Sequence, residues 1–116
     1  MFNMPPNITK FLNNHAHNEW LKSEKMDVYV RKGHHLIDGE IRSCFDVANI
    51  SVPEKLRGHG IFTKWLEQVE KKILPFGIEY VFVESILELR LVSFLNSRGY
   101  KEIPGSNPPS MCKRPS

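Results

Sequence analysis

The segment Leu56-Arg57-Gly58-His59-Gly60-Ile61-Phe62 stands between an extended run and the clearest helical run of the chain. Downstream of it, Phe62, Trp65, Leu66, Val69 and Ile73 recur at i, i+3, i+4, i+7 and i+11, with Lys64, Glu67, Gln68, Lys71 and Lys72 between them. This spacing predicts an amphipathic helix over 62–74, ended by Pro75 and Gly77. Upstream, Glu40 to Val52 reads as an extended stretch that stops at Pro53. Strand, Gly-x-Gly and helix together form a device for holding an anion. The first turn of a helix has unpaired N–H groups, its dipole favours negative charge, and glycine lacks the Cβ that would keep a phosphate away. Arg57 adds a positive charge. By themselves the two glycines fit a plain tight turn equally well. Neither a Gly-Lys-Ser/Thr phosphate loop nor the third glycine of a dinucleotide fold is present.

Met26 to Arg31 alternates and is β-branched, which predicts a strand. Lys32-Gly33 and Asp38-Gly39 read as turn signals on either side of His34 to Ile37. Before them, Ile8, Phe11, Leu12, Trp20 and Leu21 suggest one or two short helices between Asn7 and Lys25, interrupted at Asn13-Asn14-His15. After the central helix, Ile78 to Val83 has almost no polar face and reads as a buried strand. Leu87 to Ser97 predicts a second amphipathic helix with Gly99 as its cap. Tyr100–Ile103 and Met111–Lys113 are candidate strands that pair across the loop from Pro104 to Ser110. The order implies a single α/β domain, a mixed, mostly antiparallel sheet flanked by helices. Residues 1–25 form a short N-terminal helical region, 27–103 the core, and 104–116 a loop with a possible last strand.

A chain of 116 residues is long enough for one modest core. No apolar run reaches the roughly 18 residues of a membrane span, and the first residues lack the pattern of a secretory signal. A cytoplasmic protein is the expectation. Cys44 and Cys112 match no zinc spacing and are read as reduced and structural. The formal net charge of +3 suits an anionic ligand, but the charges are scattered, so composition does not favour nucleic acid.

Ile50-Ser51-Val52-Pro53-Glu54-Lys55-Leu56-Arg57-Gly58-His59-Gly60-Ile61 resembles the strand, turn and helix start with which GNAT acyltransferases bind acetyl-CoA. In that family the turn reads Gln/Arg-x-x-Gly-x-Gly/Ala, and Lys55, Gly58 and Gly60 occupy those places. Val81-Phe82-Val83-Glu84-Ser85 and Phe94-Leu95-Asn96-Ser97-Arg98-Gly99-Tyr100 resemble the family's fifth strand and the helix after it. The likeness covers roughly Asp27 to Ile103. It implies transfer of an acetyl group from acetyl-CoA to an amine, on a small molecule or a protein lysine, without a covalent enzyme intermediate. Backbone N–H groups of Arg57, Gly58, His59, Gly60, Ile61 and Phe62 would cradle the pyrophosphate. The strand from Asn49 through Ile50 to Val52 would diverge from Ile78–Val83 and hold the pantetheine arm.

The chain departs from the family in its last long helix, where the positions of a cofactor-binding Asn and a proton-donating Tyr fall on Glu88 and Leu95. Leucine has no proton to give. Glu84, at the end of an apolar strand, is the candidate general base, and a strand-end ion pair is its equally weighted alternative. Ser85 could touch pantetheine or acceptor, although a turn hydroxyl is the stronger reading. Asp46 could help to remove a proton but reads as a surface strand residue, and Tyr100 as core. His34, His35, Asp38 and Glu40 invite a metal. Adjacent strand histidines face opposite ways, so no metal site is assigned and a solvated hairpin is expected. Phe62, Trp65 and Phe76 read as core. The short N-terminal region leaves the acceptor side open, which would suit a macromolecular amine or a second subunit of a homodimer. Two rivals are a CoA-binding module of the same fold without catalysis and a small basic nucleic-acid-binding domain.

Overall fold

A computed structural model describes residues 7–51 and 60–115. Helix α1 (Thr9–Asn13) is followed by strands β1 (Asn18–Lys22), β2 (Asp27–Ile37) and β3 (Glu40–Ser51). Helix α2 (Ile61–Lys72) with a 3₁₀ turn (Leu74–Phe76) leads to β4 (Tyr80–Val83), then to α3 (Leu89–Ser97), β5 (Lys101–Glu102) and β6 (Met111–Lys113). The six strands form one sheet in the order β1-β2-β3-β4-β6-β5. All pairs are antiparallel except β3 with β4. A parallel pair needs a crossover, and α2 supplies it. The mixed, mostly antiparallel sheet expected from the sequence is therefore present.

Side chains alternate across a strand, so β3 sends Phe45 and Val47 to one face and Cys44 and Asp46 to the other. The first face carries the main core. Val28, Val30, Phe45, Val47, Val81 and Val83 pack with Phe11 and Leu12 of α1, Ile61, Trp65, Leu66 and Val69 of α2, and Leu95 of α3. Phe45 is its aromatic centre, edge-on to Phe11 at 6.0 Å and tilted to Trp65 at 6.2 Å. The second face carries a smaller apolar cluster of Ile37, Cys44, Phe82 and Cys112, to which none of the described helices contributes. Both cysteines are free and buried there. Burial pushes the Cys44 thiol up to about 12 and raises that of Cys112, so neither is a ready thiolate.

Three local readings change. Asn18–Lys22 is a strand, because Trp20 and Leu21 lie on opposite faces opposite Tyr29 and Val28. Lys32-Gly33 is no turn: β2 runs unbroken through it, and only Asp38-Gly39 reverses the chain, with φ of 51° and 82°. Phe76 is not core but 43% exposed in the 3₁₀ turn. Elsewhere the periodicity holds. Gly99 closes α3 at φ 92°, with Gly99 N–H donating to the Asn96 carbonyl and Tyr100 N–H to that of Leu95. This motif turns Tyr100 into the core, and β5 pairs with β6 as the sequence suggests.

Trp65 is wholly buried between the sheet and α2. Trp65→Ala is expected to cost about 3–5 kcal/mol, read as a lowered urea midpoint at unchanged m-value.

Candidate active site

β3 and β4 share a ladder over four residues only, Cys44 to Val47 against Tyr80 to Val83. One further bond, Glu84 N–H to the Val47 carbonyl at 3.0 Å, ends the contact. Beyond it β3 continues to Ser51 paired with β2 alone, while the chain after β4 turns away at Ser85. The divergence begins beside a β-bulge. Tyr29 opposes Asn49 and Val30 opposes Val47, which leaves Ala48 as the extra residue. Such a bulge bends its strand and increases its local twist. A cleft thus opens between Asn49–Ser51 and the end of β4.

On the sheet face to which no described helix contributes, four polar side chains from β2, β3 and the residue after β4 form one connected network. Asp46 of β3 is 2% exposed and is the sole buried charged residue among those described. His35 of β2 places Nε2 at hydrogen-bond distance from Asp46 Oδ1, 2.9 Å. Its ring is stacked on Phe82 of β4, with centroids 3.8 Å apart and planes 3° from parallel. Arg31 places Nε 3.7 Å from Asp46 Oδ2 and donates through its terminal nitrogen to Glu84. That ion pair, helped by the charge of Asp46 and opposed by burial, raises the Arg31 pKa. Burial pushes the Asp46 carboxyl up to about 6, against the pull of the His35 hydrogen bond and charge.

Gly33 makes this arrangement possible. It lies between Arg31 and His35 on the same face of β2, opposite Cys44. A Cβ there would come within 2.6 Å of Asp46 Oδ2. The glycine is in the strand because a carboxylate occupies the space its side chain would fill.

The residues singled out in the sequence are placed as follows. Glu84 lies at the end of β4, paired with Arg31, so its carboxylate already carries a cation. Ser85 is exposed in the left-handed region at φ 48°, and its N–H donates to Ser110 Oγ at 3.0 Å. Ile50 is on the free part of β3. Gly60, at φ 73°, is the N-cap of α2, and Ile61 and Phe62 form its first turn. That turn has no side-chain cap and no acidic residue, which leaves its positive end uncompensated from within the helix. Val52, Lys55, Arg57, Gly58 and His59 lie outside the described residues. Leu95 is fully buried, and Tyr100, also buried, donates its hydroxyl to Glu70 Oε2 at 2.7 Å. Burial and that bond raise the Tyr100 pKa, so neither residue offers an acid to the cleft.

Asp46 and His35 correct the earlier reading of a surface aspartate and a solvated hairpin: β2 and β3 are long enough to carry them over β4. His34 does remain exposed. His35, Asp46 and Glu84 hold donor atoms within 4.8 Å of one another. The guanidinium of Arg31 lies on both carboxylates, so the chain itself supplies the cation at the centre of this cluster. The sequence held a signal for the network. Continuing the alternation of Val28 and Val30 through Gly33 puts Tyr29, Arg31, Gly33 and His35 on one face.

No family model and no curated protein matches the chain. Solved structures do. An AtaT toxin mutant bound to the C-terminus of the antitoxin AtaR and acetyl-CoA matches at TM-score 0.60 and 17% identity, over 78% of this chain and 58% of that one. A GNAT-family acetyltransferase from Listeria monocytogenes 4b F2365 matches at TM-score 0.63 and 14% identity, over 84% and 64%. AtaT complexed with acetyl-methionyl-tRNAfMet matches at TM-score 0.61 and 16% identity, over 78% and 62%. The chain has the GNAT acetyltransferase fold. It spans about three-fifths of the length of these GNAT structures. No described helix is long and apolar enough to cross a membrane.

Two outcomes are expected for the network. Gly33→Ala should destabilise the chain by about 1–3 kcal/mol, and most of that cost should vanish in an Asp46→Ala background, seen as non-additivity in a double-mutant cycle. Because the Asp46 pKa is raised on folding, from 3.8 to about 6, the native state holds that proton more tightly than the unfolded chain. The resulting stability is full at low pH and is lost as pH rises through about 6. Urea titrations should show the wild type losing roughly 2–3 kcal/mol relative to Asp46→Asn across that window.

Proposed function

We propose that the chain is an N-acetyltransferase that moves the acetyl group of acetyl-CoA to a primary amine by direct attack. The observation that carries this reading is the parting of β3 from β4 just past Val47, together with the uncapped start of α2 at Gly60, nine residues along the chain from the end of β3 at Ser51. An extended chain with unused backbone groups suits the amide-bearing pantetheine arm, and a helix N-terminus suits the pyrophosphate. Ile50 and Val52 would line the arm. Lys55, Arg57, Gly58, His59, Gly60, Ile61 and Phe62 would hold the phosphates.

The amine would approach from the sheet face that no described helix covers, where Arg31, Asp46, His35 and Glu84 are gathered. An open face of this kind accommodates an amine carried on a macromolecule, such as a lysine side chain. With Leu95 in place of a proton donor, the CoA thiolate would leave unassisted, which its leaving ability permits. Glu84 and Ser85 at the end of β4 would border the reacting thioester, Glu84 as a partner of Arg31. The same leucine favours a second reading, a CoA-binding module without turnover.

Calorimetric titration with acetyl-CoA, followed by a thiol-release assay with poly-L-lysine, spermidine and aminoacyl-tRNA as acceptors, separates the two readings. The enzyme reading expects binding and acceptor-dependent CoA release. Binding without release for any acceptor leaves the module, and absence of binding removes both. Gly58→Val should weaken acetyl-CoA at least tenfold, since a side chain there displaces the phosphates from the turn, while the melting temperature of the free protein changes little.

A further inference from the structure

We propose that His35 and Asp46 act as a catalytic dyad, with His35 Nδ1 taking the proton that the attacking amine sheds and Asp46 holding the ring for that task. The proposal rests on the acetyltransferase reading and assigns the base that this reading lacks, because the carboxylate of Glu84 is engaged by Arg31.

Four observations fix the imidazole. Above about pH 6 the Asp46 carboxylate is ionised and can only accept, so the 2.9 Å contact to Oδ1 places a ring proton on Nε2, and in the neutral imidazole the lone pair is then on Nδ1. Asp46 is itself buried, which strengthens its hold on the ring. Phe82 fixes the ring plane by stacking at 3.8 Å. Gly33 opens the space through which the two side chains meet, since any Cβ would collide with the carboxylate. His35 keeps about a quarter of its side chain exposed, 28%, so the ring has access to solvent or a substrate. Asp46 pairs with Phe82, one residue before the last rung of the β3–β4 ladder; His35, whose backbone lies opposite Arg42, reaches that level through its side chain, which meets Asp46 and stacks on Phe82.

The charged and titratable groups around the ring are Arg31 on β2, Asp46, Cys44 and Arg42 on β3, Glu84 just after β4, and Cys112 on β6 opposite Phe82. Arg31 pairs with Asp46 and Glu84, and Arg42 is turned to Glu40 and Glu79, so Asp46 alone makes an ionic contact with the ring. In the reaction the amine nitrogen forms a bond to the thioester carbonyl carbon. The carbon–sulfur bond breaks with its electron pair going to sulfur, and the proton lost by nitrogen passes to Nδ1. The imidazolium then returns it to the CoA thiolate through solvent, giving the acetylated amine and free CoA thiol. No other reactant is needed. General-base assistance of this type contributes typically 10²–10⁴-fold.

The test has two arms on the full chain. In the first, long-range ¹H–¹⁵N correlation spectra of ¹⁵N-labelled protein near pH 8 report the His35 tautomer. The Nε2–H form is expected in the wild type and a mixture of tautomers in Asp46→Ala; an Nδ1–H form in the wild type, or no change in the variant, overturns the dyad. In the second, CoA release with poly-L-lysine is followed from pH 5.5 to 9. His35→Gln is expected to lower kcat by about 10² or more, to leave KM for acetyl-CoA unchanged and to alter the shape of the pH profile. Asp46→Asn, which keeps the shape at position 46, should lower kcat in the same direction by less. A kcat and a pH profile that survive unchanged in His35→Gln overturn the catalytic role while leaving the acetyltransferase reading intact. A wild type that binds acetyl-CoA but transfers nothing to poly-L-lysine counts against a lysine-type acceptor, and the tautomer then decides whether the dyad stands.

Discussion

The short parallel ladder between β3 and β4 is the constraint on which the rest of the molecule depends. A parallel pair can form only if the chain leaves the sheet, crosses over it and returns, and the residues from Gly60 to Phe76 make that journey. The return fixes Trp65, Leu66 and Val69 over Phe45 and Val47, which places the main core on one face. The ladder is also brief. With only four residue pairs and a bulge at Ala48, it cannot hold the two strands together past Val47, and the cleft is the consequence.

The helices among the described residues contribute to one face of the sheet, and the other is held by different means. These are a small apolar cluster and polar groups that satisfy one another. Asp46 is tolerated in that setting because His35 and Arg31 reach it from β2, and Arg31 in turn reaches Glu84. Each of these groups would be costly if left without a partner. The arrangement therefore serves the fold and, in the proposed reaction, positions the proton acceptor at the cleft.

Much of the architecture was legible in the sequence because it follows from periodicity. The spacing of Phe62, Trp65, Leu66, Val69 and Ile73 fits a helix with one buried stripe, and the apolar run that ends at Val83 fits a buried strand, which is Tyr80–Val83. Gly99 before Tyr100 marked the end of α3. Gly33 was misread for a definite reason. A glycine beside a lysine looks like a turn when the sequence is read locally, but its cause lies thirteen residues away in the carboxylate of Asp46. Trp20 and Leu21 were equally ambiguous, since two adjacent apolar residues fit a short helix as well as an edge strand.

The sequence by itself determined the order of elements from α2 onward, the stripe of α2 and the absence of a proton donor at Leu95, because each depends on residues close together along the chain. Only the tertiary structure decided which polar side chains meet. Burial of Asp46, the partner of Glu84 and the orientation of His35 depend on the register of β2 against β3 and of β3 against β4. Such pairings join residues up to 53 positions apart, Arg31 with Glu84 being the most distant of the network, and no local pattern records them.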